Sequence, residues 1–481
     1  MLLAELFPYA HVVYNVLTVL YFITVATVIG VVLSENRNPV KSMAWMLVLV
    51  LLPAVGLVIY LFVGRSLKGV SMISRSSLRQ LRRQNDFPEP DVGQLELSDE
   101  AQQLISLVNT LGEPHLFMGN DIQVFTTGQD KMDAMLRDIQ AATTYVHVQY
   151  FIMENDQVGN QLYNLLMEKA RQGVRVRVLY DYVGSYHFSS RLLKQMRQAG
   201  VEIHPFLEVT FTQLVNRLNW RNHRKVVVID GAVGYIGGMN IADRYVTGDK
   251  GEAPWRDTHL RICGEAVAAL EYSFAIDWNF TTRKLLTEPT MRYDSAPRQE
   301  YTVQMVASGP TSRWNNISFV FLKAIGLAKH TVYIQTPYFL PSDALLKALQ
   351  SAALAGVDVR VMVPRHPDSR MLRLATGSYF KECLLSGIKI YLYEPAMLHA
   401  KAVIVDDDIV TTGSTNFDSR SFEHNFEMNA LVYSRQFNRQ MKDQFLADEQ
   451  HSTRVVLAHW KQRPLFQKAL ESVVRLISPI L

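Results

Sequence analysis

His223-Arg-Lys-Val-Val-Val-Ile-Asp230 and His399-Ala-Lys-Ala-Val-Ile-Val-Asp406 are one eight-residue pattern written twice in the same chain. Side chains alternate between two faces of an extended backbone, so His223 and Lys225 point the same way, as do His399 and Lys401. Each copy runs on into a glycine-containing turn that carries an asparagine, Gly237-Gly-Met-Asn240 and Gly413-Ser-Thr-Asn416. A single His-x-Lys is uninformative, because three residue types at short spacing arise by chance. Two copies that agree at His, Lys, Asp, Gly and Asn with identical internal spacing do not.

The duplication extends outward from the motif. Strand-like residues 122–127 before Gly128 match 303–308 before Gly309, and Gly173-Val-Arg-Val-Arg-Val matches Gly356-Val-Asp-Val-Arg-Val. Gly200-Val-Glu-Ile matches Gly387-Ile-Lys-Ile, and the offset between copies drifts only from 176 to 187 residues. Two similar domains are expected, at 119–298 and 299–481. Within each, apolar β-rich runs alternate with helical periods such as 159–172 and 343–355, which predicts an α/β class with two pseudo-symmetric mixed-sheet domains and flanking helices. A pseudo-two-fold axis between the halves would bring the two histidine loops together.

These residue types suit displacement at a phosphodiester, which needs a nucleophile, an acid for the departing alkoxide and positive donors around the phosphoryl oxygens. One neutral imidazole attacks phosphorus while the other, protonated, serves the leaving group, so their surroundings must set the two proton affinities apart as a coupled pair. Lys225 and Lys401, with Asn240, Asn416 and the Ser414 hydroxyl, can stabilise charge that metal ions stabilise in other phosphoryl-transfer sites. No metal or cofactor is expected. Asp257 and Glu427 are candidates to orient the histidines through their second ring nitrogens, with ordinary surface acids as the alternative. Asp230 and Asp406 end the motif strands, where structural pairing is as plausible as catalysis.

The first 64 residues read differently. Residues 9–33 contain no Asp, Glu, Lys or Arg, and neither do residues 43–63. Both stretches are long enough to cross a bilayer as helices, so a two-helix transmembrane hairpin is expected at 1–64, with Pro53 and Gly56 able to kink its second arm. Residues 65–118 read as a basic linker. Arg65, Lys68, Arg75, Arg79, Arg82 and Arg83 outnumber Arg37 and Lys41 in the hairpin connection, which predicts a catalytic region on the cytoplasmic face, near anionic headgroups.

Two further segments bear on membrane contact. An apolar insertion between the Gly200 strand and His223 holds Phe206, Phe211, Leu214, Val215, Leu218 and Trp220, with Arg217 and Arg221; it fits a membrane-entering lip or a local core patch. Near the C-terminus Leu465, Phe466, Ala469, Leu470, Val473, Val474, Ile477 and Leu481 recur at helical spacing among cations, as either a core-facing stripe or an interfacial helix would. Composition excludes other classes. A net charge of +4 over 481 residues offers no broad basic face for nucleic acid, and Cys263 and Cys383, 120 residues apart, read as buried thiols rather than a disulfide framework or metal ligands.

The paired motifs with their Gly and Asn extensions, the N-terminal hairpin, Thr336-Pro-Tyr-Phe-Leu-Pro341, Arg463-Pro-Leu and Ser478-Pro-Ile-Leu together resemble the phospholipase D superfamily, and within it the bacterial cardiolipin synthases, over nearly the whole chain. The resemblance implies an integral enzyme of the bacterial inner membrane that converts two phosphatidylglycerol molecules to cardiolipin and glycerol through a phosphatidyl-histidine. It implies that His223, Lys225, Asp230, His399, Lys401 and Asp406 are the active-site set, and superfamily analogy favours His223 as nucleophile and His399 as acid and base. Gly238 departs from the superfamily pattern, since the second copy has Ser414 there, and the halves are therefore not equivalent. A hydrolase with the same intermediate is the alternative, because the motif spacing does not report how water is excluded.

Overall fold

The computed structural model describes residues 10–34, 39–60, 71–84, 97–112, 116–208, 220–249, 251–286 and 301–477. They fall into two compact units. The first contains α1 (Ala10–Ser34), α2 (Pro39–Leu51) and α3 (Pro53–Ile59). Within α1 the segment His11–Gly30 is long and apolar enough to cross a membrane. The second apolar stretch, expected as one span, is broken instead. Leu52 leaves the helical region (φ −128°, ψ 67°) because the ring of the following proline clashes with a helical residue before it. At 13 and 7 residues, α2 and α3 are each too short to span alone. Buried Val32 of α1 packs with Leu49 of α2 and Tyr60, whose ring meets Trp45 edge-on at 5.2 Å.

The second unit is built on one long mixed sheet. The first half supplies β1 (Leu116–Phe125), β2 (Tyr145–Tyr150), β3 (Arg175–Asp181), β4 (Glu202–Phe206), β5 (Arg221–Asn222), β6 (Val226–Ile229), β7 (Val233–Gly237) and β8 (His259–Cys263). The second supplies β9 (Tyr301–Ser308), β10 (Thr331–Gln335), β11 (Phe339–Leu340), β12 (Asp358–Pro364), β13 (Lys389–Tyr393), β14 (Ala402–Val405), β15 (Ile409–Gly413), β16 (Phe417–Asp418), β17 (Asn425–Tyr433) and β18 (Ser452–Arg454). From the centre outward the orders are β1-β8-β7-β6-β2-β3-β4 and β9-β17-β15-β14-β10-β12-β13-β18, with β1 and β9 antiparallel at the join. The duplicated sequence thus gives duplicated topology, and the two expected sheets merge into one.

The motif strands lie inside each half-sheet, which is why they are apolar at consecutive positions. Val227 and Ile229 face the core of the first half, whereas Val226 and Val228 face a core shared with residues of the second half. Val403 and Val405 face the second half's own core, and Ala402 and Ile404 the shared one. Helices between strands start on matching caps: the side chains of Thr127, Asp156 and Ser189 in the first half, and Ser342, Ser369 and Ser434 in the second, accept first-turn N–H groups.

The stretch 65–118 is more than a linker. Helix Asp99–Thr110, capped by Ser98, buries Leu104, Ile105 and Val108 in the second half's core, and β1 already begins at Leu116. Ile73 and Leu81 pack with Phe274 and Trp278. At the ends of the apolar insertion Phe206, Trp220 and Arg221 are buried, and the Phe206 ring lies 5.4 Å from both Phe280 and Phe426. Those three residues are interior anchors rather than part of a lip, while Phe211, Leu214, Val215, Arg217 and Leu218 lie outside the described residues. Cys263 and Cys383 are buried thiols that form no disulfide.

Candidate active site

Each His-x-Lys sits in an extended segment just before its motif strand rather than within it. The backbone there is held by the opposite half. His223 N–H donates to Phe426 O (2.9 Å), next to β5–β17 pairing, and His399 N–H donates to Arg256 O (2.7 Å), next to the bridge between Arg256 and Leu398. The residue after each acceptor is the carboxylate that the sequence singled out. His223 Nδ1 lies 3.0 Å from Glu427, and His399 Nδ1 lies 2.6 Å from Asp257 Oδ2. The carboxylates therefore cross over: each half orients the other half's histidine.

The six central side chains are buried. His223 and His399 retain 7% and 6% exposure, so little of either residue is open to solvent. Burial pushes His223 down to about 4, with Glu427 opposing, and pushes His399 down to about 3, with Lys401 adding to the effect and Asp257 opposing. Burial also lowers Lys401 to about 8 and Lys225 well below the ordinary lysine value. For Asp257 burial acts upward, but Lys401 and His399 outweigh it; for Glu427 the opposing group is His223, and both carboxyls stay below the usual range. Burial thus favours the neutral form of each imidazole, each facing carboxylate opposes it, and the neighbouring cations favour ionised carboxylates.

The halves differ around those carboxylates. Glu427 accepts from Ser414 Oγ (2.5 Å) and Asn425 Nδ2 (3.2 Å) as well as facing His223. At the position of Ser414 the first half has Gly238, where an added Cβ would stand 2.2 Å from Asp257 Oδ1; the missing side chain is the space that the carboxylate occupies. The lysines differ too. Lys225 Nζ donates to His223 O (2.6 Å), whereas Lys401 Nζ reaches both His399 O and His399 Nδ1, the latter at 2.7 Å. Nδ1 of His399 cannot donate to Asp257 and accept from Lys401 at once, so two tautomers have a partner there.

Asn240 is engaged in support: its Oδ1 accepts from Ile152 N–H (3.2 Å) and its Nδ2 donates to Tyr245 OH (2.9 Å), which lies 3.3 Å from His399 Nδ1. Buried Asn416 has an Oδ1 with no partner among the described residues. Asp230 and Asp406 stand at the far ends of β6 and β14. Their carboxylates accept backbone N–H groups of Thr143, Thr144 and Tyr145, and of Lys329, His330 and Thr331. Both adopt left-handed backbone (φ 50° and 47°), a conformation that Asp tolerates better than most side chains. They close the turns after the motif strands and are not brought to the histidines, contrary to the active-site set that the resemblance implied.

Sequence reasoning missed Arg224 and Asp277. Arg224 donates to Asp277 Oδ2 (2.5 Å) and to Glu427 O (3.2 Å), while Gln149 (2.5 Å) and Asn222 (2.9 Å) share the same Asp277 oxygen. The second copy has Ala400 where the first has Arg224, so the repeat that exposed the motif hid this contact. Tyr245 was missed because it has no counterpart at a matching motif position.

Comparison with known proteins gives the family. The family model described as "Cardiolipin synthase, PLD-like domain" matches residues 135–277 and 321–449, and one described as "Phospholipase_D-nuclease N-terminal" matches 19–65. Cardiolipin synthase of Alkalihalophilus pseudofirmus is 37% identical over 475 residues, covering 97% of this chain and 94% of its own. Cardiolipin synthase of Listeria monocytogenes is 37% identical over 481 residues, covering 97% and 98%. Among solved structures, phosphatidylserine synthase of Haemophilus influenzae superposes with a TM-score of 0.59 at 14% identity, covering 79% of this chain and all of that one, a likeness of fold. With near-complete coverage and two buried His-Lys-carboxylate clusters, the chain belongs to the cardiolipin synthase family, phosphatidyltransferases of the phospholipase D type.

Proposed function

We propose that this enzyme transfers a phosphatidyl group from one phosphatidylglycerol to a second, giving cardiolipin and glycerol through a phosphohistidine. The observation that carries the reading is the crossed pairing of His223 with Glu427 and His399 with Asp257, which supplies two oriented imidazoles in one site. His223 donates Nδ1–H to Glu427, leaving the Nε2 lone pair to attack phosphorus. The bond from phosphorus to the glycerol oxygen breaks, and His399 Nε2–H protonates that oxygen. Asp257 at Nδ1 supports this assignment, because its carboxylate stabilises the imidazolium form of His399, which keeps Nδ1–H toward Asp257, gives up Nε2–H and is left as a neutral ring.

In the second step the glycerol hydroxyl of another phosphatidylglycerol gives its proton to His399 Nε2 and attacks phosphorus, and the phosphorus–nitrogen bond breaks to restore His223. Lys225, Lys401 and Asn416 stabilise the phosphoryl oxygens; Asn240 holds Tyr245, and Ser414 holds Glu427, as positioning residues. Asp230 and Asp406 act as turn locks. The second apolar stretch joins α1 in the bilayer as a broken arm, and the basic residues that follow it keep the catalytic unit on the cytoplasmic face.

Product analysis of the purified protein with phosphatidylglycerol vesicles and EDTA, beside His223→Ala and His399→Ala, tests the chemistry. Cardiolipin plus glycerol, lost in both variants, is the expected result. Phosphatidic acid as the main product would make water the acceptor and overturn the synthase reading.

A further inference from the structure

The last described helix, Leu465–Ile477, is amphipathic with its faces reversed relative to a core helix. Its inward face, against helix Arg370–Leu385, is largely polar. Glu471, only 4% exposed, accepts from Arg463 (2.8 Å) and Gln467 (3.0 Å), and Arg475 pairs with Glu382 and lies 4.3 Å from the Tyr379 ring; Val474 is the buried apolar exception. Its outward face is apolar. Leu465, Phe466, Val473 and Leu476 are 82%, 79%, 60% and 82% exposed, and with Ala469 and Leu470 they occupy an arc of roughly 140° at 100° per residue. Of the stripe read from the sequence, Leu465, Phe466, Ala469, Leu470 and Val473 turn outward and Val474 packs into the second half's core, while the Ile477 side chain and Leu481 lie outside the described residues.

Beside that ridge lies a cavity of ≈ 260 Å³ lined by Lys381, Lys461, Arg463, Lys468 and Arg475 together with Trp460 and Glu471. Glu471 and Glu382 answer the two arginines, while Lys381, Lys461 and Lys468 have no carboxylate partner among the described residues. The Trp460 indole N–H, also at this cavity, lacks an acceptor among them. Apolar side chains bordered by surplus cations are complementary to a bilayer surface of anionic phospholipid, with acyl chains under the ridge and phosphate at the lysines. A second copy of the chain would satisfy the ridge but would bring three more lysines without carboxylate partners to the same border. We infer that Leu465–Ile477 is a second membrane contact of this enzyme, lying in the interface of an anionic bilayer with a headgroup phosphate held in the lysine-lined cavity. The inference rests on family membership and not on the order of proton transfers proposed above.

The test uses the full chain in nanodiscs. Both native cysteines are buried, so Phe466→Cys takes an environment-sensitive fluorophore selectively, and Leu354→Cys, at the exposed end of helix Asp343–Leu354 and away from the cavity lining, serves as control. In phosphatidylglycerol nanodiscs the label at position 466 should shift to the blue and lose at least threefold of its accessibility to an aqueous quencher, while the control stays open. In phosphatidylcholine nanodiscs, and in Lys381→Glu/Lys461→Glu/Lys468→Glu, most of that protection should vanish. Equal quenching at both positions in phosphatidylglycerol overturns the inference. Protection that appears in detergent and grows with protein concentration also overturns it, in favour of contact between copies. Protection unchanged by the triple reversal overturns the headgroup site.

Discussion

Gly238→Ala is the substitution whose consequence the structure fixes most closely. An alanine Cβ would stand 2.2 Å from Asp257 Oδ1, well inside the roughly 3.5 Å at which non-bonded atoms begin to attract. The backbone at 238, just past the end of β7, is held by Gly238 N–H to Thr258 O (2.9 Å), so the carboxylate has to yield. It can do so only by leaving His399 Nδ1, now 2.6 Å away. A displacement of about 1 Å at such a contact lowers turnover by about 10²-fold, equivalent to about 2.7 kcal/mol of transition-state stabilisation. The measurement is kcat and KM for cardiolipin formation on phosphatidylglycerol vesicles, with a thermal melt to establish that the variant is folded. The loss should fall on kcat. Because Gly238 acts through Asp257, Gly238→Ala/Asp257→Asn should be no slower than Asp257→Asn alone. Turnover within threefold of the parent, or multiplying effects in the double variant, would refute the argument that this glycine exists to seat the carboxylate.

Glu427→Gln keeps the shape but removes the charge that holds His223, and kcat should fall by about 10²-fold; Ser414→Ala removes one donor to that charge and should give a smaller loss, about tenfold, both read in the same assay. Asp230→Ala and Asp406→Ala each strand three backbone N–H groups at a left-handed turn, so each should lower stability by about 2 kcal/mol while turnover per folded molecule stays within twofold; a large kcat loss in a protein with unchanged melting would return these residues to the chemistry. Both histidines bind protons less readily folded (about 4 and about 3) than unfolded (ordinarily near 6.5), so the unfolded chain gains protons first on acidification. Their contribution to stability is intact above about pH 6.5 and declines as pH falls toward the folded values; His223→Asn/His399→Asn should flatten the drop in Tm between pH 6.5 and 5, and an unchanged slope would mean that the rings are not held neutral.

The duplicated pattern made the architecture legible before any coordinates. Motifs at constant internal spacing, with strand-like and helical periods around them, implied two α/β halves, and burial of each motif strand on both faces is why Val-Val-Val-Ile and Ala-Val-Ile-Val could be read as strands. The reactive types were legible for the same reason, since His and Lys two apart on an extended segment must share a side. Asp257 and Glu427 were identifiable as carboxylates downstream of each motif, yet nothing local says which histidine each one meets. That is a contact across 142 and 204 residues, fixed by the crossing of the halves.

Sequence alone determined the repeat, the paired histidines and lysines and the apolar N-terminal segment, because covalent spacing and side-chain periodicity carry all three. Tertiary structure decided that Asp230 and Asp406 lock turns away from the histidines, that Lys401 and not Lys225 reaches a ring nitrogen, and that Leu465–Ile477 turns its apolar face outward. Periodicity shows that a stripe exists, but which way it faces depends on the partner: helix Arg370–Leu385 presents Glu382, Ser378 and Tyr379 to this one, and ion pairs and hydrogen bonds, rather than a matching apolar groove, set its rotation.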